Sequence, residues 1–310
     1  MSFLNKIIKI WVLFRNSYLY IFQQAIIING YVDDMTWKNV HHRNWGDELN
    51  YYLIKEITGR PVIFYQNFIL AKILKLKNYM CIGTMLDANN CSNEQTIVWG
   101  AGVSGYERDF VTPKEILAIR GKKTKEFAER YGKKCPSIFG DPALLMPLIY
   151  QPIHQQRSST KHYKIGLIPH ISDAKHPVTQ EIKEKCPEDV QIIDLAHYEK
   201  WTDVIDEICS CDYILSSSLH GLVTADAYHI PNYWIRISGR AIIGNLKFHD
   251  YASSVERTFQ TPAKIANYQD FINLYNHIDQ LATVAETEVV KEIQNNLIKV
   301  APFKIKFHQS

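Results

Sequence analysis

The chain has 310 residues, of which 46% are hydrophobic and 22% are charged, so its composition is that of a folded protein rather than a disordered one. This length suits about two domains. The 35 basic and 32 acidic residues give a net charge of +3, which lacks the basic excess of most nucleic-acid-binding proteins and argues against a nucleic-acid partner.

The N-terminal segment, residues 1–35, is apolar and is predicted to be a unit of its own. Residues 7–28 are rich in large apolar side chains, but Lys9 and Arg15 interrupt them, so the uncharged run is too short for a spanning helix. No small-residue cleavage site follows, which argues against a signal peptide. Two interpretations stay open: a helix packed on the core, or an interfacial helix that makes peripheral contact with anionic lipid.

Residues 36–155 are predicted to form a first α/β domain. Its first helix begins near Asn44, has Asp47 in its first turn and ends before Gly59. A second helix is expected at 124–131. Strands are expected at 61–65, 79–83, 96–100 and 115–120.

A polar stretch at residues 151–162 is the best candidate for a linker. Beyond it, strands and helices alternate more regularly, which predicts a second α/β domain over residues 156–310 with a helical tail. The strands are expected at 163–169, 190–194, 212–216 and 232–237, and the helices at 178–185, 200–210 and 219–229. This alternation predicts parallel sheets with helices on both faces, and ligands of such sheets bind beyond the carboxyl ends of the strands. A functional cleft between the two domains is therefore expected.

A glycine-rich turn follows one of the predicted strands. Its sequence G-A-G-V-S-G at 100–105 matches the G-x-G-x-x-G pattern of dinucleotide sites. Only about ten residues, one of them a proline, separate it from the next strand, which is too few for a crossover helix. The favoured interpretation is that Gly100 and Gly102 let a ligand approach the backbone at the cleft.

The sequence S-S-S-L-H-G at 216–221 is the most specific feature of the chain. A strand ends and a helix begins there, so free backbone N–H groups and the helix dipole can bind an anion. Ser217, Ser218 and Gly221 belong to this expected anion site, and His220 adds a proton or a positive charge. Capping by Ser217 or Ser218 explains one serine but not three followed by His-Gly. The helix is expected to lower the pKa of His220, and a bound anion to raise it again.

Other polar residues stand at strand ends and helix starts. Arg120 ends a strand, where its guanidinium suits a carboxylate or phosphate, with a surface ion pair as the competing interpretation. His170 follows another strand, and Asp47 is either a cap or a catalytic carboxylate. Six scattered cysteines without a C-x-x-C pair predict reduced thiols in the cytoplasm, and no metal-ligand cluster is visible.

Seven short motifs occur in order along the chain. They are N-W-G-D-E-L-N at 44–50, W-G-A-G at 99–102, I-R-G-K-K-T at 119–124, G-D-P-A-L-L at 140–145, I-G-L-I-P-H at 165–170, S-S-S-L-H-G-L-V-T-A-D-A at 216–227 and K-F-H-D-Y at 247–251. Together they resemble the polysaccharide pyruvyl transferase family, from about residue 40 to residue 251.

This resemblance implies two Rossmann-like domains arranged as in a GT-B glycosyltransferase, with the acceptor on the N-terminal side and the donor on the C-terminal side. It implies transfer of pyruvate from phosphoenolpyruvate to a sugar of a capsule or exopolysaccharide of the bacterial cell envelope, as a ketal with release of phosphate. Carried over by matching motif, Arg120 would hold the donor's carboxylate or phosphate, and Leu219 and His220 would contact the donor. Asp47 and His170 would face the cleft, where they and His220 are the candidate catalytic residues.

Three functions remain as alternatives. The favoured one is pyruvyl transfer without a cofactor, in the cytoplasm or at the inner face of the membrane, to a lipid-linked oligosaccharide. The second is a nucleotide-sugar glycosyltransferase of the same architecture. The third is a non-catalytic assembly protein of a polysaccharide pathway, which the polar residues clustered at strand ends disfavour.

Overall fold

The structure, a computed structural model, describes residues 3–30, 32, 44–87, 93–105, 111–152, 162–237, 245–258 and 261–306. It contains two five-stranded parallel sheets, one from each half of the chain, with helices packed on them. The predicted α/β class with two Rossmann-like sheets is confirmed. Most of the predicted linker lies outside the described residues, and the domain boundaries stay a prediction.

The first sheet is built from the N-terminal half. Its strands are β1 (Ile26–Ile28), β2 (Val62–Phe64), β3 (Asn78–Met80), β4 (Thr96–Trp99) and β5 (Glu115–Ala118). Their spatial order is β2-β1-β3-β4-β5, so the winding reverses between β1 and β3. The helices of this half are α1 (Phe3–Gln23), α2 (Trp45–Thr58), α3 (Ile69–Ile73) and α4 (Lys122–Arg130), with 3-10 turns at Tyr65–Asn67 and Pro142–Leu148.

The second sheet repeats this topology. Its strands are β6 (Tyr163–Ile168), β7 (Val190–Ile192), β8 (Cys211–Ser216), β9 (Asn232–Arg236) and β10 (Ala263–Lys264), in the order β10-β9-β8-β6-β7. The winding reverses between β6 and β8. The helices are α5 (Pro177–Lys185), α6 (Trp201–Cys209), α7 (Leu219–Ala227), α8 (Asn245–Ser254), α9 (Tyr268–Leu281) and α10 (Thr287–Lys299). Ligands of sheets with this order bind where the winding reverses, which we call the switch point.

Every predicted strand overlaps an observed one, but β1 is absent from the sequence prediction. The apolar segment at 7–28 is interpreted there as one helix, and this interpretation is wrong at its C-terminal end. Helix α1 stops at Gln23, and Gln24 adopts a φ of +53° as the chain turns into the strand. Strand β1 pairs with both β2 and β3, so part of segment 1–35 lies inside the first sheet.

The C-terminal helix α10 returns to the first half of the chain. The Trp99 side chain donates from Nε1 to the carbonyl of Leu297 at 3.0 Å, and Gln294 donates to the carbonyl of Leu144 at 2.7 Å. Phe303 packs edge-on against the Trp99 ring, with ring centroids 5.3 Å apart. These contacts attach the tail to the core of the first sheet.

A buried ion pair joins the two halves. Arg120 follows β5 and Asp250 lies in α8; both are fully buried, and Nε of the arginine is 3.0 Å from Oδ2 of the aspartate. The carboxylate also accepts hydrogen bonds from the backbone N–H and the hydroxyl of Thr124, at 2.8 and 2.7 Å. Gly121 permits the close approach, because a Cβ there would lie 1.8 Å from the Asp250 carbonyl oxygen. Both charges are thus paired inside the protein, as buried charges must be.

Replacing Asp250 with alanine is expected to lower the free energy of unfolding by about 3–5 kcal/mol, because it leaves the Arg120 guanidinium buried without a counter-charge. The control is Glu126→Ala, which breaks the exposed Lys123–Glu126 pair and should cost less than about 1 kcal/mol. Urea unfolding curves of both variants provide the measurement. Equal losses in the two variants would contradict this account of the pair.

Candidate functional site

The switch points of the two sheets open onto one shared cavity of about 180 Å³. Its wall combines the starts of α2, α7 and α8 with the loops that follow β3 and β6. The lining residues are Asn44, Asp47, Thr84, Met85, His170, Ile171, Ser218, Leu219, His220 and Lys247. Three residues singled out from the sequence as catalytic candidates, Asp47, His170 and His220, therefore line the same cavity.

The motif at the start of α2 fixes this helix between the two halves. Trp45 is fully buried; its backbone N–H donates to Leu195 O and its indole N–H to Trp201 O, each at 2.9 Å. On the other side, Asn50 donates to Ile82 O at 2.8 Å and accepts from the Ile82 N–H at 2.9 Å. These bonds hold the first turn of α2, and with it Asp47, against both sheets.

The Asp47 carboxyl group has a pKa close to neutral pH. Asn44 does not cap α2 through its side chain; instead its amide donates to Asp47 Oδ2 at 2.6 Å. Burial raises the pKa of Asp47 to about 7, against the opposing attraction of Lys247. The group can therefore hold or release a proton at physiological pH.

The three serines before α7 have different roles. The hydroxyl of Ser216 accepts from the Ser218 N–H at 3.0 Å and donates to the Ser218 carbonyl at 2.8 Å, which stabilises the turn. The Ser217 hydroxyl accepts the backbone N–H of His170 at 2.7 Å and so connects the two switch-point loops. Ser218 is the N-cap residue, but its side chain does not cap the helix and lines the cavity. Simple capping therefore does not explain this motif.

His220 lies in the first turn of α7 and packs against the first turn of α2. Gly46 leaves room for the imidazole, because a Cβ at this position would be 1.8 Å from its Nδ1. The Nε2 atom is inaccessible to solvent and has no hydrogen-bond partner in the described part of the chain. Burial, reinforced by Lys247 and Arg120, lowers the pKa of His220 to about 3, so the ring is neutral at pH 7. The direction is the predicted one, but burial is the main cause.

His170 reaches the cavity from the loop after β6. Its Nδ1 lies 2.9 Å from the hydroxyl of Ser172 and accepts the backbone N–H of the same residue at 3.3 Å. From this hydrogen bond we assign the proton of the neutral ring to Nε2. Burial and Lys247 lower the pKa of His170, while Asp173 opposes the shift.

Lys247 is a cavity residue that the sequence analysis does not select. It lies in the first turn of α8, and no carboxylate of the described ranges is within 4 Å of its ammonium group. Burial and the nearby Arg120 lower the pKa of Lys247, while Asp47 raises it. Lys247 heads the K-F-H-D-Y motif, but no strand directly precedes it in the sequence, so a search of strand ends misses it.

Arg120 and the glycine turn lie behind the cavity wall. Besides its pair with Asp250, the guanidinium donates to the Thr84 hydroxyl at 2.6 Å and to the Val103 carbonyl at 3.0 Å. A Cβ on Gly102 would lie 2.3 Å from the guanidinium carbon, so the guanidinium itself occupies the space beside this glycine. Arg120 thus borders the cavity only through Thr84.

This placement differs from the direct ligand contact expected for Arg120, Gly100 and Gly102. The arginine is in an ion pair, as the competing interpretation has it, but the pair is buried rather than at the surface. Gly100 adopts a φ of +101°, and a Cβ there would lie 2.2 Å from the ring of Pro142, so this turn serves packing. Within the described ranges, no three His, Cys, Asp or Glu side chains are grouped so as to hold a metal ion.

A comparison with protein families matches residues 92–239 to the family described as polysaccharide pyruvyl transferase. The matched residues make up just under half of the chain, and over them its sequence is similar to the polysaccharide pyruvyl transferase family. The matched region runs from β4 to β9 and includes His170 and His220 of the cavity. The resemblance stated from the ordered motifs is thereby confirmed.

Two proteins of similar sequence extend the comparison beyond the matched region. Uncharacterized protein L143 of Acanthamoeba polyphaga mimivirus is 28% identical over 216 residues, which cover 68% of this chain and 70% of that protein. Succinoglycan biosynthesis protein ExoV of Rhizobium meliloti (strain 1021) is 26% identical over 229 residues, which cover 72% of this chain. They cover 65% of ExoV, so the chain spans less than two thirds of the length of that protein. The family match and the similarity to the succinoglycan biosynthesis protein support pyruvyl transfer in polysaccharide biosynthesis as the general class of activity.

Replacing Gly46 with alanine is expected to push the His220 ring out of position and to lower the free energy of unfolding by about 1–3 kcal/mol, as overpacking does. The matched control is Gly30→Ala, where the nearest atom to a new Cβ is 3.7 Å away, an ordinary contact. Unfolding curves give the stability, and the imidazole NMR signal of His220 reports the displacement. An unchanged His220 signal in Gly46→Ala would contradict the packing described.

The raised pKa of Asp47 makes a pH prediction. The unfolded carboxyl titrates near 3.8 and the folded one near 7, so the stability that Asp47 contributes is complete below the first value and is lost as the pH rises through the second. As the pH rises from about 4 to about 8, Asp47→Asn should therefore become more stable relative to wild type by about 4 kcal/mol, because each pH unit between the two pKa values contributes about 1.4 kcal/mol. Unfolding curves across this range test it, and a pH-independent difference would contradict the assignment.

Proposed function

We propose that the shared cavity binds phosphoenolpyruvate and that the chain transfers the pyruvyl group to two hydroxyls of a sugar, forming a ketal and releasing phosphate. The observation that carries this proposal is the meeting of two switch points in one cavity that holds Lys247, two neutral imidazoles and a titrating carboxyl. Phosphoenolpyruvate has two anionic groups on a three-carbon frame. It needs cationic and N–H donor groups and a proton donor within one small volume.

The size of the cavity favours a small donor. Pockets for drug-sized ligands measure about 300–1,000 Å³, whereas this cavity measures about 180 Å³. A three-carbon phosphate ester suits such a volume better than a nucleotide sugar does. The alternative function, a nucleotide-sugar glycosyltransferase, is therefore the less favoured one.

The two anionic groups of the donor would be bound by different parts of the wall. The Lys247 ammonium would pair with one of them, since no carboxylate of the described residues neutralises it at close range. The uncapped N-terminus of α7, with the hydroxyl of Ser218, would bind the other. Arg120 would not contact the donor directly. It would orient Thr84 by its hydrogen bond and contribute a positive electrostatic potential to the cavity.

The reaction needs one acid and one base. The acid protonates the methylene carbon of phosphoenolpyruvate, and a sugar hydroxyl attacks the neighbouring carbon. Phosphate then leaves with the bonding electron pair, and a second hydroxyl attacks the resulting cation to close the ketal. The two sugar hydroxyls release two protons. One of them restores the proton that the acid delivered to the new methyl group, and the other leaves with phosphate.

The protonation states suggest how the roles are divided. Asp47 retains its proton up to about pH 7, so it is our candidate for the acid. His170 and His220 are neutral at that pH, so either ring can accept a proton from a sugar hydroxyl. Binding of the anionic donor would raise the pKa of both rings and strengthen them as bases. We further propose that the acceptor is a lipid-linked oligosaccharide.

The direct test is incubation with phosphoenolpyruvate and a galactoside acceptor, followed by measurement of phosphate release and of the ketal methyl resonance. We expect both signals from the wild type and a loss of turnover of about 10²-fold or more in His220→Gln. Phosphoenolpyruvate should also raise the melting temperature, and Lys247→Met should abolish this shift while the surface variant Lys123→Met retains it. A uridine diphosphate sugar that stabilises the protein, without any effect of phosphoenolpyruvate, would overturn the proposal in favour of a glycosyltransferase.

A further inference from the structure

Helix α1 exposes an apolar face to solvent. Its inner face packs on the first sheet, where Leu13, Leu19 and Tyr20 contact a cluster that includes Ile27 and Phe68. On its outer face, seven large apolar side chains are between 48% and 72% exposed. They are Ile7, Ile10, Trp11, Phe14, Tyr18, Ile21 and Phe22. The helix is thus apolar on two sides, which a surface helix of a monomeric protein rarely is.

The exposed side chains form one continuous stripe. Positions 7, 11, 14, 18 and 21 follow each other in steps of four and three, which places them on one side of a helix about 30 Å long. The stripe continues onto α3, where Ile69, Ile73 and Leu74 are 52–66% exposed. A groove of about 660 Å³, lined in part by Ile8 and Val12 of α1 and by Ile69, joins the two helices. We call this surface the α1–α3 face.

Exposed apolar surface is concentrated at this face. Of the thirteen large apolar side chains that are exposed in the described ranges, ten belong to α1, α3 or the residue after α3. The other three, Val111, Tyr131 and Leu148, lie apart from one another in the sequence and are 39–44% exposed. Scattered exposure of that kind needs no explanation, but a contiguous patch marks an interaction surface.

Basic residues accompany the α1–α3 face. Residues 3–30 and 60–80, which include α1 and α3, contain no aspartate or glutamate. They contain the seven basic residues Lys6, Lys9, Arg15, Arg60, Lys72, Lys75 and Lys77. Because the whole chain has a net charge of +3, the remainder of the chain is net acidic. The two segments that carry most of the exposed apolar side chains are therefore basic in sequence.

We propose that the α1–α3 face docks on an anionic lipid surface. Interfacial helices combine an apolar stripe rich in Trp, Phe and Leu-type side chains with Lys and Arg beside it, and they bind anionic lipid through both. A second copy of the chain is the competing occupant, but it would bring two copies of the same basic segments together, which like-charge repulsion opposes. The charge of the face therefore favours lipid over self-association.

The fold dictates that α1 lies along the lipid surface. No helix in the described part of the chain is long and apolar enough to cross a bilayer. The inner face of α1 is packed on the sheet, and Asn16 is fully buried with its amide donating to the Asn67 carbonyl at 3.3 Å. Only two residues separate α1 from β1. The helix is therefore fixed to the sheet and presents only its outer side chains.

The same attachment determines how the proposal can be tested. Deleting the first 33 residues would remove β1, which pairs with strands on both sides, so the truncated chain would lose its sheet. Point variants of exposed side chains leave the core intact. The proposal does not depend on pyruvyl transfer, because vesicle binding is measured without donor or acceptor.

The first experiment is co-sedimentation of the full chain with vesicles of phosphatidylcholine, with and without phosphatidylglycerol. Wild type should sediment with the anionic vesicles, and the double variant Phe14→Ser/Phe22→Ser should bind them at least about tenfold more weakly, since each lost side chain removes buried apolar area. The matched control, Tyr131→Ser/Leu148→Ser, removes apolar side chains exposed elsewhere and should bind like wild type. An unchanged thermal unfolding profile shows that each variant is folded.

The second experiment tests separately how much the basic residues contribute to vesicle binding and whether the lipid contacts α1. The triple variant Lys72→Gln/Lys75→Gln/Lys77→Gln should bind anionic vesicles more weakly, whereas Lys123→Gln/Lys183→Gln should not. Trp11 is 50% exposed and belongs to the apolar stripe, so the blue shift with anionic vesicles and the quenching by brominated acyl chains should be smaller in Trp11→Leu than in wild type.

Two results would overturn the proposal. In the first, wild type does not bind the anionic vesicles, and light scattering shows a dimer that the double variant Phe14→Ser/Phe22→Ser dissociates. The α1–α3 face would then be a contact between copies of the chain. The other is vesicle binding that neither the apolar nor the lysine variants weaken, which would locate lipid contact elsewhere.

Discussion

The buried contact between Arg120 and Asp250 is the interaction on which the cavity depends. It connects the end of β5 to α8, and α8 carries Lys247 into the cleft. Through the Thr84 hydroxyl, the same guanidinium positions a loop of the cavity wall. Because a buried charge without its partner is strongly destabilising, the two halves cannot separate at this point without a large loss of free energy. The ion pair thus links the end of β5 to the helix that carries Lys247.

Burial shifts the pKa values of the titratable groups that line the cavity, and this has a functional meaning. Burial keeps Asp47 partly protonated and both histidines neutral, while Lys247 has no close carboxylate partner among the described residues. Each of these shifts has burial as its main cause, and groups with shifted pKa values cluster where binding or catalysis occurs. An anion that enters the cavity would stabilise Lys247 as a cation and favour protonation of His170 and His220. The protein therefore holds its site in a state that an anionic ligand relieves.

The parts of the fold and the site that the sequence predicts share a physical basis. Strands such as β6 and β8 are short apolar runs bounded by proline, glycine or serine, and polar residues that follow them must lie at one edge of the sheet. That rule brings His170 and His220 to the same cavity. It fails for β1, because its three isoleucines continue an apolar helix and periodicity cannot separate a short buried strand from a helix end.

The roles of Arg120 and Lys247 depend on contacts between distant parts of the chain. The sequence shows an arginine at a strand end, but its partner Asp250 follows 130 residues later, and only the packing of α8 decides whether the guanidinium meets a ligand or this carboxylate. Lys247 lies in the first turn of α8, and no strand of the described residues ends immediately before this helix, so Lys247 reaches the cavity through the same packing. Likewise, the two apolar sides of α1 can be told apart only when the sheet that covers one of them is known.

The proposed donor site lies in the cavity between the two switch points, and a crystal structure of the chain with phosphoenolpyruvate would show whether the donor binds there. We expect density for the ligand in this cavity, with one anionic group at the Lys247 ammonium and the other at the N-terminus of α7, while Arg120 remains paired with Asp250. A ligand bound outside this cavity, or bound directly by an Arg120 released from Asp250, would contradict it.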